Sequence, residues 1–207
     1  MKQAFVTMLG MQDKMNQKVH ADWITQRFEW YRAIWIECGE LVEHYGYKWW
    51  KKQTPDMDQV KLEVIDIWHF GMSALFTEGD TLEDIAELME GQLLGYRYEP
   101  MDVRDATEAL AQDSLESKSF SVALFWNLMN SVEMDFEQLF VQYVGKNVLN
   151  FFRQDNGYKD GSYIKQWQGR EDNEHLVEIL AELDTNSVSF GDDVYQALQQ
   201  RYQSLNA

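Results

Sequence analysis

The run from Val60 to Phe76 constrains this chain more than any other: Val60, Leu62, Val64, Ile65, Ile67, Trp68, Phe70, Met72, Ala74, Leu75 and Phe76 leave almost no polar face. At helical period the run is apolar nearly all round, and such a helix has to be buried among others. Yet Glu63 and Asp66 lie inside it, and His69 and Ser73 continue the same polar stripe. A carboxylate carried into apolar surroundings loses its hydration, so it must meet a cation or hydrogen-bond donors, or stay protonated.

The remainder reads as mostly α, because period-two alternation is scarce and both prolines, Pro55 and Pro100, fall between helical patterns. The periodicity predicts helices at about 3–19, 22–46, 57–78, 81–95, 102–113, 119–133, 135–152, 173–184 and 191–204, with Asp22, Asp56, Asp80, Ser119 and Asp172 as their starts. The stretch Gln154 to Gly169, rich in Gly, Asn, Tyr and Lys, predicts an ordered loop suited to display binding residues. With 207 residues, no low-complexity linker and no internal repeat, the expectation is a single all-α domain, a helical bundle.

A formal net charge of -17 opposes any protein that wraps DNA or RNA, since a polyanion needs a broad basic footprint. It leaves room for a nucleotide held through metal ions. The lone cysteine, Cys38, lies on an apolar helix face, which excludes an intrachain disulfide and fits a reducing, cytoplasmic setting. The N-terminus lacks the apolar block of a signal peptide, and no run approaches membrane-spanning length, so a soluble protein without membrane contact is expected.

A second acidic pair, Glu37 and Glu40, sits in the preceding helix, where Trp30, Ile34, Cys38, Leu41 and Tyr45 form the apolar face, Glu37 marks its edge and Glu40 points further toward solvent. Residues three apart on a helix project about 60° apart, so each pair can aim two carboxylates at one point. Four carboxylates from adjacent helices make an oxygen-only site, which suits Mg2+ or Mn2+ better than zinc. The spacing alone is weak, because Glu87 with Glu90 and Asp113 with Glu116 share it. Pairing of Glu63 and Asp66 with lysines or arginines in the core is the competing reading.

Downstream, Lys146, Arg153, Lys159, Lys165 and Arg170 fall within 25 residues that hold only two acids, in a chain of 35 acids and 18 bases. Lys146, Asn150 and Arg153 follow i, i+4, i+7 spacing and share a helix face able to clasp phosphates. Alternatively these charges only offset the acidic surface.

Five blocks in order carry a family resemblance: Met-Gln-Asp-Lys-Met-Asn, Glu-Cys-Gly-Glu-Leu followed by Tyr-Lys-Trp-Trp-Lys, Glu-Val-Ile-Asp-Ile-Trp-His-Phe, Gly-Lys-Asn-Val-Leu-Asn-Phe-Phe-Arg-Gln-Asp-Asn-Gly-Tyr-Lys, and Trp-Gln-Gly-Arg-Glu-Asp-Asn. Together they resemble the dimeric all-α dUTPases, relatives of the MazG-type pyrophosphohydrolases, over residues 8–70 and 143–175 but not the middle, about 80–135. The resemblance implies a bundle of the all-α NTP pyrophosphatase type with a mobile helical cap, a homodimer, and Mg2+-dependent hydrolysis of dUTP to dUMP and pyrophosphate by metal-activated water attack on the α-phosphate. Cleavage of dUDP stays open.

By the same resemblance Glu37, Glu40, Glu63 and Asp66 hold metal, and Glu37 orients or deprotonates the attacking water. Gln12 and Asn16 meet the uracil and sugar end, joined by Trp49 and His69. Lys146, Asn150, Arg153, Lys159 and Asn173 meet the phosphates. Tyr163, Lys165 and Trp167 are either ligand contacts or loop packing. Uracil and cytosine differ at two adjacent hydrogen-bonding positions, so one rotated amide at Gln12 or Asn16 changes preference, and a dCTP or broader dNTP pyrophosphatase is the alternative. A non-catalytic helical interaction protein using its aromatic surface is the reading of a different class, opposed by the completeness of the acidic and basic set.

Overall fold

The computed structural model describes residues 1–185, 187 and 189–205. Its elements run α1 (Lys2–Val19), α2 (Trp30–Tyr45), α3 (Met57–Leu75), α4 (Leu82–Leu93), α5 (Val103–Ser117), α6 (Val122–Ser131), α7 (Phe136–Asp155), β1 (Gln166–Trp167), β2 (Arg170–Glu171), α8 (Asp172–Glu182) and α9 (Phe190–Leu205). The all-α class expected from periodicity holds, with a single two-residue antiparallel ladder among the described residues. The chain forms two compact units, Met1–Leu139 and Phe140–Ala207.

In the first unit the apolar run becomes α3, and Val60, Val64, Ile65, Ile67, Trp68 and Met72 are all fully buried. Trp68 stacks on Phe125 at 4.7 Å between centroids and tilts against Phe5 at 6.1 Å, tying α3 to α6 and α1. Gly71 lets the Phe120 ring lie directly on the α3 backbone: a Cβ there would come within 2.5 Å of it. α2 packs most extensively on α3 and then on α5, while α1 packs on α4 and α3.

Several helix boundaries differ from expectation. The helix predicted from residue 22 starts only at Trp30, and residues 21–27 form successive turns. Tertiary contacts override helical propensity there. Trp23 is 2% exposed, its indole N–H donates to Asp13 (2.9 Å), and its ring meets Trp30 and Phe76 edge-on, while Arg27 takes a positive φ of 50°. Asp56 caps α3 as predicted, accepting from the Gln59 N–H. The other caps are displaced by one or two residues: Thr81, one on, forms a capping box with Asp84, Ser121, two on, accepts from Leu124, and Glu171, one back, forms a box with Glu174. Asp22 caps nothing, and Asp172 is the first residue of α8 with a different task, described below.

The second unit gathers aromatic rings around Phe152, which meets Tyr163, Trp167, Tyr195 and Tyr202 at 5.4 to 6.3 Å between centroids. Gly145 allows α8 to approach α7, because a Cβ there would lie 2.7 Å from Leu180. The predicted loop after residue 154 is a set of turns leading into the β1–β2 ladder, in which Gln166 pairs with Glu171 and Trp167 with Arg170.

Candidate active site

α2 and α3 run antiparallel. The Asp56 N–H donates to the His44 carbonyl (3.0 Å) at one end, and Trp30 stacks on Phe70 (6.2 Å) at the other. Between these ends the pair brings one carboxylate oxygen each from Glu37, Glu63 and Asp66 within 4.8 Å of one another. Glu63 is 8% exposed, and the other two are half-buried. Glu40 lies outside this trio on the exposed side of α2, although its charge still acts on Glu37.

This crowding raises the proton affinity of Glu37 to about 8. Burial is the largest cause, followed by the negative charges of Asp66, Glu63 and Glu40 and a hydrogen bond with Glu63. One proton shared between Glu37 and Glu63 therefore relieves the trio when no cation is present. Burial likewise pushes the neighbouring Cys38 thiol up to about 12, which leaves it an inert core residue. His44, which sequence reasoning missed, places Nε2 3.5 Å from Glu63 Oε1. Its signal was available: His44 follows Glu37 and Glu40 by seven and four residues, on one helix face.

Two turns along α3 a second polar group is assembled. His69 Nδ1 faces Gln12 Oε1 at 2.8 Å. Gln12 Nε2 donates to Ser73 Oγ (3.0 Å) and Asn16 Oδ1 (3.2 Å), and Asn16 Nδ2 also donates to Ser73 Oγ (3.0 Å). All four side chains are buried. Thus Gln12, Asn16 and His69 come together through the α1–α3 contact, with Ser73 at their junction. Ser73 also lines a cavity of about 460 Å³ walled by Trp23, Phe28, Trp30, Tyr31 and Phe76. Flat aromatic walls beside a donor and acceptor cluster suit a planar heterocycle. Trp49 is not gathered with them. It is 90% exposed in the α2–α3 loop, edge-on to Trp50.

In the second unit Lys146, Asn150, Arg153 and Asn173 converge. Lys146 Nζ donates to Asn173 Oδ1 (3.2 Å), and Arg153 reaches the same oxygen (3.3 Å) as well as Asn150 Oδ1 (3.1 Å). The sequence reading did not foresee Asp172, a fully buried carboxylate that takes Arg153 Nε at 2.8 Å and Nη2 at 2.7 Å and the Tyr163 hydroxyl at 2.8 Å. Burial pushes Asp172 up, but the hydrogen bonds and charge of Arg153, with Tyr163, outweigh it and hold the carboxyl below its ordinary range. Most Arg153 donors are thereby committed inside the protein. Lys159 stands apart in an exposed turn. Tyr163 and Trp167 belong to the packing: the latter is fully buried with its indole N–H on Ile164 O (2.8 Å), and Lys165 pairs with Glu171 (3.2 Å).

No helix among the described residues is long and apolar enough to cross a membrane. A comparison with curated proteins gives no match. The dUTPase family model matches residues 4–158, about three quarters of the chain. The match therefore includes the middle region that the sequence motifs left out, and with the carboxylate trio, Gln12, Asn16, His69, Lys146, Asn150 and Arg153 all inside it, the chain belongs to the dUTPase family, enzymes that hydrolyse dUTP.

Proposed function

We propose that this enzyme hydrolyses dUTP to dUMP and pyrophosphate in a Mg2+-dependent reaction, with Mn2+ as a substitute, by attack of water on the α-phosphorus. The observation that carries this reading is the trio Glu37, Glu63 and Asp66, whose oxygens crowd within 4.8 Å while Glu37 is held protonated up to about 8. Such a donor set fits a hard divalent cation: it is all oxygen, partly dry and self-repelling until positive charge arrives. Bound there, the cation supplies Lewis-acid charge to phosphoryl oxygens and to the attacking water.

The chain's own groups do the rest. Glu37 gives up its proton as positive charge enters the trio, and its carboxylate is then free to accept one from water. Glu40 adds negative charge at the rim. Gln12, Asn16 and His69 read the base, which lies along the aromatic cavity, and Trp49, held away from that cluster in this structure, reaches the nucleotide by a movement of the α2–α3 loop. From Asp66 to Ser73 is two turns of α3, roughly 10 Å at 1.5 Å per residue, a separation suited to the reach from phosphate to base. Lys146, Asn150, Lys159 and Asn173 take phosphate oxygens, with Arg153 held in place by Asp172. The reading includes a homodimer and a cytoplasmic location, and leaves cleavage of dUDP open.

The test is product analysis with dUTP, dCTP, dTTP and UTP, each with Mg2+ and with a chelator. Release of dUMP and pyrophosphate, dependent on Mg2+ and strongly favouring dUTP, is the expected result. Chelator-resistant turnover sinks the metal role, and equal cleavage of dCTP sinks the uracil assignment. Light scattering of the eluted protein at twice the 24.5 kDa chain mass tests the dimer.

A further inference from the structure

We propose that Ser73 is the residue that sets base preference: it touches no base itself but fixes which way round the amides of Gln12 and Asn16 are presented. The inference deepens the base-reading role given above to Gln12, Asn16 and His69 and rests on it.

A hydroxyl has one hydrogen to give and two lone pairs to receive with. Ser73 spends its hydrogen on the His69 carbonyl (2.9 Å), one turn earlier on α3. Toward the other two neighbours it can only accept. Both amides must therefore turn their NH2 groups to it, and Gln12 Nε2 and Asn16 Nδ2 each stand 3.0 Å from Oγ. Rotating the Asn16 amide by 180° sets oxygen against oxygen at Ser73 and nitrogen against nitrogen at Gln12. Rotating Gln12 sets its oxygen against the Asn16 and Ser73 oxygens and keeps the contact with His69 (2.8 Å) only by a change of imidazole tautomer. The arrangement also assigns the His69 proton, because Gln12 Oε1 can only accept: Nδ1 carries it. Ser73 is 1% exposed, so a wrong orientation carries the cost of buried unmatched groups.

The consequence lies in what the Asn16 amide presents. A carboxamide has two donor hydrogens and two acceptor lone pairs. In Asn16 one hydrogen goes to Ser73 and one lone pair receives Gln12, which leaves one donor and one acceptor on adjacent atoms in fixed order. The uracil edge offers an acceptor at O4 beside a donor at N3–H. The cytosine edge offers a donor at N4 beside an acceptor at N3. Against an amide held in one orientation, a pose that satisfies the first edge gives donor against donor and acceptor against acceptor with the second. An amide free to rotate serves both bases. Ser73 is thus a positioning residue for specificity, and its removal is expected to broaden substrate choice.

The experiment measures kcat/KM for dUTP and for dCTP on wild type, Ser73→Ala and Ser73→Thr. The dUTP to dCTP ratio is independent of how much of each preparation is active, so a merely structural loss does not move it. The expected result is a ratio reduced at least about tenfold in Ser73→Ala, through gained dCTP turnover, and restored to near wild type in Ser73→Thr, which keeps the hydroxyl. A selective wild type with an equally selective Ser73→Ala overturns the role of Ser73 and leaves the uracil reading standing. A wild type that cleaves both nucleotides alike overturns both. Should Ser73→Ala fail to fold, the side-chain amide spectrum of 15N-labelled wild type decides: one Asn16 orientation with its NH2 near the Ser73 β-protons supports the proposal, and two interconverting orientations overturn it.

Discussion

Adding Mg2+ to the metal-free enzyme should expel a proton. With the first proton of the acidic trio held at about 8, the protonated fraction is roughly 0.9 at pH 7, about 0.5 at pH 8 and about 0.1 at pH 9. A cation that needs the trio fully ionised displaces that fraction, so about 0.9 proton per site should appear at pH 7 and almost none at pH 9. Apparent affinity should strengthen close to tenfold per pH unit below 8 and level off above it. Isothermal titration in buffers of different ionisation enthalpy counts the protons directly, and Glu37→Gln should reduce the count to near zero. The same shift links pH to stability. Because folding raises the Glu37 pKa from 4.5 to about 8, its contribution is fully present below pH 4.5 and is lost as pH rises through 8 in the metal-free protein. The unscreened cost is roughly 4.8 kcal/mol at 1.36 kcal/mol per pH unit, which solvent screening at a half-exposed carboxylate reduces to about 2 kcal/mol. Release of fewer than about 0.2 proton at pH 7 would refute the reasoning, since Glu37 would then already be ionised and the trio not self-repelling.

Other expectations follow from particular contacts. Asp172→Ala leaves the Arg153 guanidinium uncompensated in the interior and should cost about 3–5 kcal/mol in denaturant unfolding; a loss under 1 kcal/mol would show the pair is not buried as described. The depressed Asp172 pKa has the opposite pH sign to Glu37: its contribution is present above its ordinary value of 3.8 and fades as pH falls through its lower folded one, visible as an acid transition absent from Asp172→Asn. Gly71→Ala drives a methyl into the Phe120 ring and should destabilise by about 1–3 kcal/mol, whereas Gly39→Ala, with open space around it, should not; equal melting temperatures for the two would contradict the packing. Trp49→Ala, at an exposed ring, should leave stability within about 0.5 kcal/mol while raising KM for dUTP, and an unchanged KM would remove Trp49 from the site.

The sequence was most readable where one element carried the whole signal. The apolar circumference of α3 announced burial, and polar residues three and four apart within it announced a shared stripe, so Glu63, Asp66, His69 and Ser73 were legible before any packing was known. Residues whose roles depend on a distant partner were not. Asp172 looked like a helix start because an acid before an amphipathic run ordinarily caps it; only folding shows Arg153, 19 residues earlier, waiting for it. The stretch 21–27 looked helical because local propensity cannot register that Trp23 is anchored to Asp13 and Phe76. His44 was passed over although it continues the face of Glu37 and Glu40, because Glu63 approaches it only across the α2–α3 contact.

Asp66 and Ser73 sit on one rigid helix, seven positions apart, and that makes the length of this segment as constrained as its residues. Each residue added or removed turns everything beyond it by about 100°. A single insertion between Asp66 and His69 would swing both His69 and Ser73 off the α1 side, and one after His69 would swing Ser73 alone. Apolar exchanges among Val64, Ile65 and Ile67 only repack the core. The loop from Gly46 to Asp56 has no such register to keep. Natural variants and engineered libraries should therefore show length changes in that loop and none between Asp66 and Ser73.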